Sequence, residues 1–432
     1  MKTAEMQERG ADVNASARSR SLRLPRELRL FWIASAIGVV LAVIVGWFKW
    51  RSGQSIYNWY PLSDPLFGDL LEYPGTYALL HTRAFFFNVA GKPWTYPMYS
   101  AVAYPPFAAA VMAPIYLSGQ PELVISLLSA AWLVFAILWV RGWMARAGIS
   151  RSTSTLFPIS VAAMSFPIAR LVHQGNIELI VWVLTATGVY AWVREKDDLA
   201  AVLWGLAAAM KLFPLVLLAL LLPRKRWWAF AAGLAAFCAA TLWSLWWLGP
   251  TIADAWHGSM MNVFGYQGTR ASEWTIREIV ANHSVIELAK LVAMMVHFPL
   301  SRISLPYYAA GAMLFAAAFF LKLWRMPRAN QLLGVSTFMV MFPAISYYHA
   351  LVHMYAALVL LGWVAVQAER AGVQVVGLRT TVLLLVPLFI PFTVLTFPSA
   401  VIFCGLVQAV VLVLLFLCSL QYRFEVSEPA AA

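Results

Sequence analysis

Few acidic side chains lie where a catalytic base would be useful. Only 19 of the 432 residues are Asp or Glu, and Asp64, Asp69 and Glu72 lie together in a polar segment, residues 49–101. A carboxylate in such a segment can accept a proton from a hydroxyl group during group transfer. Asp69 directly precedes apolar residues, and this pattern predicts a short helix with Asp69 at its start. A purely capping role for Asp69 is the alternative, and Asp64 before Pro65 is typical of a turn.

Cationic side chains that could stabilise a developing negative charge stand farther along the chain. Lys211 lies about midway in an apolar run, and two apolar residues separate it from Pro214. A buried ammonium group is costly without a partner, so Lys211 is either a phosphate-binding group or the partner of an acid such as Glu178. His349 stands at the junction of two apolar runs, where an imidazole could stabilise a leaving group or merely pack at an interface.

Other polar groups interrupt the apolar runs without matching a known catalytic signature. Tyr104 precedes two prolines that suit the start of a helix, and the cluster His173-Gln174-Gly175-Asn176 separates two apolar runs. The sequence contains no GxGxxG, Walker, HExxH or GxSxG motif, which argues against nucleotide hydrolysis and zinc proteolysis. The polar loops also lack an evident carboxylate cluster, so we expect the protein to work without a metal ion or another cofactor.

The composition excludes a water-soluble protein. Hydrophobic residues make up 62% of the chain and charged residues only 12%, and the mean hydropathy is +0.74. The net charge of +12 comes from Lys and Arg clusters between apolar runs, which favours orientation in a membrane over nucleic-acid binding. We therefore expect an all-α, polytopic membrane protein, and no nucleic-acid partner.

Hydropathy and charge predict about 12 transmembrane helices. The predicted spans are 30–48, 102–118, 122–141, 153–172, 176–193, 199–221, 228–248, 304–323, 331–345, 347–366, 380–397 and 399–420. A basic tail, residues 1–29, and a short tail, residues 422–432, then lie in the cytoplasm, and residues 30–421 form one transmembrane domain. Two long loops, 49–101 and 249–302, face the outer side and contain interfacial helices.

Alternation of these spans assigns each polar cluster to one face. Arg224, Lys225 and Arg226 fall on the inner face, as the positive-inside rule requires. The scheme places the His173–Asn176 cluster inside, away from Asp69. It also places three arginines on the outer face against the rule; they are Arg141, Arg146 and Arg151.

The order of the short motifs resembles that of the family 87 glycosyltransferases of the GT-C superfamily. The motifs are Asp69-Leu70-Leu71-Glu72-Tyr73, Tyr104-Pro105-Pro106, His173-Gln174-Gly175-Asn176, Lys211-Leu212-Phe213-Pro214, Asn282-His283-Ser284 and Phe342-Pro343-Ala344-Ile345-Ser346-Tyr347-Tyr348-His349. The similarity extends from the first outer loop to about residue 366. His283 replaces a family Gln, and Ala350 stands where the family often has a second His. The best-known members are polyprenol-phosphate-mannose-dependent mannosyltransferases.

This resemblance implies a fold, a reaction and a set of site residues. The fold is a GT-C bundle in the plasma membrane, with its active site at the outer face. The reaction is inverting transfer of a hexose, such as mannose, from a polyprenyl-phosphate sugar to a glycolipid or glycan acceptor. Asp69 would be the general base, and His349 would meet the leaving phosphate. The residues expected to bind substrate are Glu72, Tyr73, Tyr104, Lys211, Arg270, Arg277, Asn282, His283 and Ser284.

Two other classes of function fit the composition. A lipid or solute transporter, or flippase, of the cell envelope would use Lys211 and Glu178 as intramembrane charges on a substrate path. Two long loops on one face argue against it. A structural subunit of an envelope-assembly complex would leave the ordered motifs unexplained.

Overall fold

The computed structural model describes residues 22–52, 66–71, 75–86, 104–272, 274, 282–391 and 404–426. These ranges are helical and contain no strand, apart from an isolated bridge between Leu22 and Ile149. The α-helices are α1 (Arg26–Arg51), α2 (Gly68–Leu71), α3 (Pro106–Leu117), α4 (Pro121–Arg146), α5 (Arg151–Met164), α6 (Phe166–Gln174), α7 (Glu178–Val193), α8 (Asp197–Met210), α9 (Trp227–Leu248), α10 (Ile252–Ser272), α11 (Ile286–Met295), α12 (Ser304–Leu321), α13 (Arg328–Met341), α14 (Met354–Ala371), α15 (Leu378–Leu384), α16 (Val386–Phe389) and α17 (Cys404–Gln421).

Six of the described helical segments are long and apolar enough to cross a membrane. They are Arg26–Phe48, Pro121–Arg146, Trp227–Leu248, Ser304–Arg325, Tyr348–Ala371 and Cys404–Gln421. Helices α5 and α6 meet at an angle of 60° and together have the length and composition of a seventh span. The all-helical, multi-pass prediction is confirmed, while the count of twelve spans and the division into tails and one domain stay predictions.

The helices run between the two ends of a bundle. Contacts between residues far apart in the sequence show which segments lie at each end. At the first end, the amino-terminal end, the Leu22 amide donates to Gly148 O at 2.8 Å, and Arg328 pairs with Glu195. At the opposite end, the Asp69 end, the Phe67 amide donates to His173 O at 2.7 Å.

The predicted span 102–118 is wrong, because helix α3 does not connect the two ends. It has 12 residues and is therefore about 18 Å long, whereas a hydrocarbon core is about 30 Å thick. Its start lies near Lys211, which stands over the Tyr104 ring, and Tyr116 near its far end donates a hydrogen bond to Leu70 O. Both ends of α3 thus lie at the Asp69 end.

The predicted span 199–221 is also wrong, because the chain reverses direction at Lys211. Helix α8 reaches Met210, and a 3₁₀ helix, Phe213–Arg224, then returns beside it. Arg224 Nη1 lies 2.6 Å from Asp197 Oδ1, so the start of α8 and the end of the 3₁₀ helix meet at the open end of this hairpin. Lys211 therefore stands at the tip of a hairpin, at the Asp69 end, and not in the middle of a span.

These two errors have opposite effects on the predicted path of the chain. The first removes one crossing, and the second replaces one crossing by two, so the segments after residue 224 keep their predicted faces. Without a crossing at α3, helix α4 runs from the Asp69 end to the amino-terminal end, where Gly148 contacts Leu22. Arg146 and Arg151 therefore lie at the same end as Leu22, and the predicted exception to the charge rule disappears. The His173–Asn176 cluster lies at the Asp69 end, contrary to the prediction that placed it on the other face.

Small residues allow the hairpin to pack against α9. A Cβ atom at Gly205 in α8 would lie 2.2 Å from Gly233 O in α9, and a Cβ at Gly233 would lie 2.9 Å from Ala201 O. Close approach of two helix backbones requires such residues, since a larger side chain would separate them. This packing fixes the height of Lys211 in the bundle.

Candidate functional site

Helix α2 carries Asp69 and rests on the carboxyl-terminal end of α6. Gly175 ends α6 in the left-handed conformation, with φ of 61°. A Cβ atom there would lie 3.0 Å from both Leu70 Cβ and Phe67 Cδ1. Only glycine combines this backbone conformation with such a close neighbour at low cost, so the Gly175 position allows α2 to dock.

Asn176 holds the Asp69 carboxylate. Its Nδ2 donates to Asp69 Oδ2 at 2.6 Å, and its Oδ1 accepts from the Glu178 amide at 2.8 Å. The second bond fixes the orientation of the buried amide group, so its NH₂ group points at the carboxylate. Asp69 itself is partly exposed, so a molecule at the surface can reach its carboxylate.

Glu178 is a fully buried carboxylate with two partners. Its Oε2 lies 2.5 Å from Lys211 Nζ, and its Oε1 lies 2.6 Å from His353 Nε2. His353 Nδ1 is in turn 3.0 Å from Thr185 Oγ1. Three separate segments of the chain meet in this cluster: helix α7, which carries Glu178 and Thr185, the turn at Lys211, and the 3₁₀ helix that ends at His353. The ion pair that the sequence offered as one explanation of Lys211 is present.

Lys211 is the member of the Glu178 cluster that reaches the surface of the site. Its side chain is 16% exposed, whereas that of Glu178 is 0% exposed. The ammonium nitrogen lies 5.9 Å from the Tyr104 ring centroid and 6.0 Å from that of Phe213. Aromatic faces attract a cation, so the two rings hold the ammonium group without satisfying its hydrogen-bond donors.

His349 lies beside the same polar cluster. Its Nδ1 donates to Gln174 Oε1 at 3.3 Å, which links the 3₁₀ helix Tyr348–His353 to the end of α6. The residue is buried, with 7% of its surface exposed. The polar residues 174 and 176 thus contact His349 and Asp69, respectively, and bring the two expected catalytic groups to one place.

Asn282, His283 and Ser284 form a buried support beneath the segment 341–349. Asn282 Oδ1 accepts from the Ser346 amide at 2.9 Å, and its Nδ2 donates to Ala344 O at 2.8 Å. Ser284 Oγ donates to Met341 O at 3.2 Å, and His283 Nε2 is 2.9 Å from Ser346 Oγ. All three side chains are buried. Their hydrogen bonds therefore order the loop that precedes His349.

Burial determines the charge of His283. Loss of water, with a smaller contribution from nearby His349, lowers the pKa of His283 to about 3. The ring is therefore neutral near neutral pH. Beside it, Glu287 and Lys290 form an ion pair with both side chains fully buried, and Glu287 also accepts a hydrogen bond from Asn282. Both charged side chains of helix α11 therefore lie inside the protein.

The structure describes only some of the expected site residues. Asp69, Tyr104, Lys211 and His349 lie around the cluster just described, and the 282–284 segment supports it. Glu72, Tyr73 and Arg277 lie outside the described residues, as does the side chain of Arg270.

Sequence reasoning did not include four residues of this site among the expected site residues. They are Gln174, Asn176, Glu178 and His353. The polar interruption between two apolar runs did mark residues 173–178, but the incorrect span 102–118 assigned them to the opposite face.

The described residues offer no ready metal site. Within the ranges given above, no group of three or more His, Cys, Asp or Glu side chains could hold a metal ion. Metal independence stays a prediction, since the segments next to Asp69 lie outside those ranges.

A comparison with protein-family models identifies the family of this chain. The family model for glycosyltransferase family 87 matches residues 102–346, which is more than half of the chain. This range contains Asn176, Glu178, Lys211 and the 282–284 segment, whereas Asp69 and His349 lie outside it. A comparison with curated proteins finds no match.

Proposed function

The chain belongs to glycosyltransferase family 87, and on that basis it is a membrane glycosyltransferase; we propose that its donor is a polyprenyl-phosphate sugar. The transferred sugar is a hexose, and mannose is the first to test. The acceptor is a glycolipid or glycan at the outer face of the plasma membrane, and both termini lie in the cytoplasm. The multi-pass helices support a lipid-linked donor, because its prenyl chain stays in the bilayer.

One observation carries this proposal: a carboxylate and an ammonium group are held by residues only two positions apart. Asn176 binds Asp69, and Glu178 binds Lys211. Glycosyl transfer needs a base at the acceptor and a cation at the leaving phosphate. The motif Asn176-Ile177-Glu178 supplies one support for each group.

The proposed reaction is a single displacement. Asp69 accepts the proton of the acceptor hydroxyl while its oxygen forms a bond to the anomeric carbon. The bond from that carbon to the phosphate oxygen breaks on the opposite face, and its electron pair stays with the phosphate. Attack from the face opposite the leaving group inverts the anomeric configuration.

Negative charge moves from Asp69 to the phosphate during this step. The donor is a phosphodiester with one negative charge, and the released lipid phosphate is a monoester that gains a second. Lys211 and His349 would stabilise this charge as it develops. Arg270 and Arg277 are further candidate phosphate ligands, and Glu72, Tyr73 and Tyr104 are candidate sugar ligands. Asn282, His283 and Ser284 would act indirectly, by ordering the His349 loop. The proposed reaction uses no metal ion or cofactor.

The decisive experiment is transfer by the purified enzyme and its Asp69→Asn variant in nanodiscs. The assay uses radiolabelled polyprenyl-phosphate sugars and membrane lipid extract as acceptor. We expect the variant to lose about 10²- to 10⁴-fold in rate, as for loss of a general base, while donor binding is retained. Asp254→Asn is the matched control, because Asp254 is a carboxylate of the same end that pairs with Arg83.

Two results would contradict the proposal. Equal transfer by wild type and Asp69→Asn would exclude Asp69 as the base. Movement of an intact lipid or solute across the bilayer, without formation of a new glycosidic bond, would favour the transporter alternative.

A further inference from the structure

Glu178 is the buried centre of the polar cluster, and its carboxylate exchanges no proton and forms no bond in the reaction described above. It lies at the first residue of α7, and each of its carboxylate oxygens has its own partner, Lys211 Nζ or His353 Nε2. Its side chain is 0% exposed, so it cannot touch a substrate. A buried carboxylate is costly unless it is paired and hydrogen-bonded, and both conditions are met here.

The geometry points to Glu178 as the positioning residue of Lys211. We propose that Glu178 holds the Lys211 ammonium group at the place where the leaving phosphate of the donor binds; this rests on the function proposed above. Lys211 has a long side chain with many rotamers, and ordering it during the reaction would cost entropy. The contacts of the ammonium group with the buried Glu178 carboxylate and with the Tyr104 ring order the Lys211 side chain before the donor binds.

The same residue also couples the cation to the base. The Glu178 amide donates to Asn176 Oδ1, and Asn176 Nδ2 donates to Asp69 Oδ2. A shift of the first turn of α7 would therefore move Asp69 and Lys211 together. The distance between base and cation is thereby kept, and this distance must match the span from the acceptor hydroxyl to the leaving oxygen.

His353 provides a second hydrogen-bond donor to Glu178. Its Nε2 donates to Glu178, and its ring packs edge-on against Phe213 at 5.7 Å between centroids. With a second donor on Glu178, the carboxylate does not depend on Lys211 alone. Lys211 can then turn part of its hydrogen-bonding capacity toward a phosphate without leaving Glu178 unpaired.

A double-mutant cycle tests the assignment. The variants are Glu178→Gln, Lys211→Met and the double variant, each assayed for sugar transfer and for binding of unlabelled polyprenyl phosphate. We expect each single variant to lose at least about tenfold in kcat with the acceptor KM unchanged. The double variant should lose no more than Lys211→Met, because Glu178 acts through Lys211. Additive losses would overturn the proposal, since they would show independent roles.

Controls separate positioning from folding. Asp197→Asn removes the charge of another buried carboxylate, 6% exposed, which pairs with Arg224 and Arg226 at the amino-terminal end. This variant should lower the thermal midpoint and leave kcat unchanged. The double variant should be at least as heat-stable as Lys211→Met, because it leaves no buried carboxylate short of its cation.

The outcomes also distinguish this proposal from the proposed function. If the wild type transfers no sugar from any donor, the proposed function fails, and the binding cycle with polyprenyl phosphate still decides the role of Glu178. If the wild type transfers sugar but Glu178→Gln is as active as wild type, the positioning role alone is wrong.

Discussion

At the scale of single residues, the amide of Asn176 determines how Asp69 presents its carboxylate. Replacement Asn176→Asp would put a second carboxylate within about 3 Å of the first, where both cannot stay ionised at little cost. We expect the acidic limb of the pH–rate profile to move to higher pH and the maximal rate to fall. A pH series of initial rates measures this. An unchanged profile would mean that the Asn176–Asp69 contact is absent in the working enzyme.

The buried imidazole of His283 predicts a pH-dependent stability. Its pKa is about 3 in the folded protein and about 6.5 in an unfolded chain. Between these values only the unfolded chain binds the proton, so stability falls as the pH decreases from about 6.5 toward 3. The loss approaches about 1.4 kcal/mol per pH unit, or about 2 kcal/mol at pH 5.

Thermal unfolding at pH 7.5 and pH 5 tests this contribution in nanodiscs. The His283→Gln variant should lose less stability than the wild type over this interval. The exposed residue His257, replaced by Gln, serves as the control and should behave as the wild type. Equal losses in all three proteins would exclude His283 as the source.

The residue types of the site were predictable from chemistry, but their contacts were not. Asp69, Lys211 and His349 are conspicuous in the sequence, because an ionisable side chain beside apolar residues is costly unless it has a partner or a function. The contact of Asn176 with Asp69 joins residues 107 positions apart. Such a contact depends on which end of the bundle each segment reaches, and no local pattern of side chains contains that information.

At the scale of elements, a single glycine allows the helix that carries Asp69 to dock on α6. The replacement Gly175→Ala forces a side chain into the left-handed conformation and against Leu70 and Phe67. The backbone strain alone costs about 1 kcal/mol or more of stability. We expect a loss of stability together with at least about a tenfold loss of kcat, because α2 must shift.

Gly372→Ala is the matched control for this element. Gly372 also ends a helix in the left-handed conformation, with φ of 65°, and its added Cβ would meet nothing within 4 Å. The control should lose only the contribution of backbone strain, about 1 kcal/mol, and keep its kcat. If Gly175→Ala keeps its kcat as well, the docking of α2 has no role in catalysis.

Hydropathy predicted apolar helices well and their turning points poorly. The run 199–221 is continuously apolar except for Lys211, and its length suits one crossing, yet Met210 ends one helix and Phe213 begins another. Lys211 and Pro214 were the visible signals of this break. The run 102–118 has the composition of a span but only 12 helical residues, since Pro105 and Ser118 limit the helix.

At the scale of the whole molecule, the corrected path of the chain makes a prediction about sidedness. The structure places Arg146 and Lys225 at the amino-terminal end, whereas Ser118 lies at the Asp69 end. The uncorrected spans predict a different arrangement. In that arrangement Ser118 lies on the same side as Lys225, and Arg146 lies on the opposite side. All three side chains are exposed, so each can be replaced by cysteine and labelled.

Labelling of intact cells with a membrane-impermeant maleimide distinguishes the two arrangements. In a chain that lacks exposed Cys238, we expect Ser118→Cys to react from outside. Arg146→Cys and Lys225→Cys should react only after the membrane is opened, because the positive-inside rule then holds for both arginine-rich turns. Reaction of Arg146→Cys from outside would place the amino-terminal end on the outer face, or would restore the uncorrected path in which 102–118 and 199–221 are both single crossings. The labelling of Lys225→Cys decides between these two cases, because it reacts from outside only in the first.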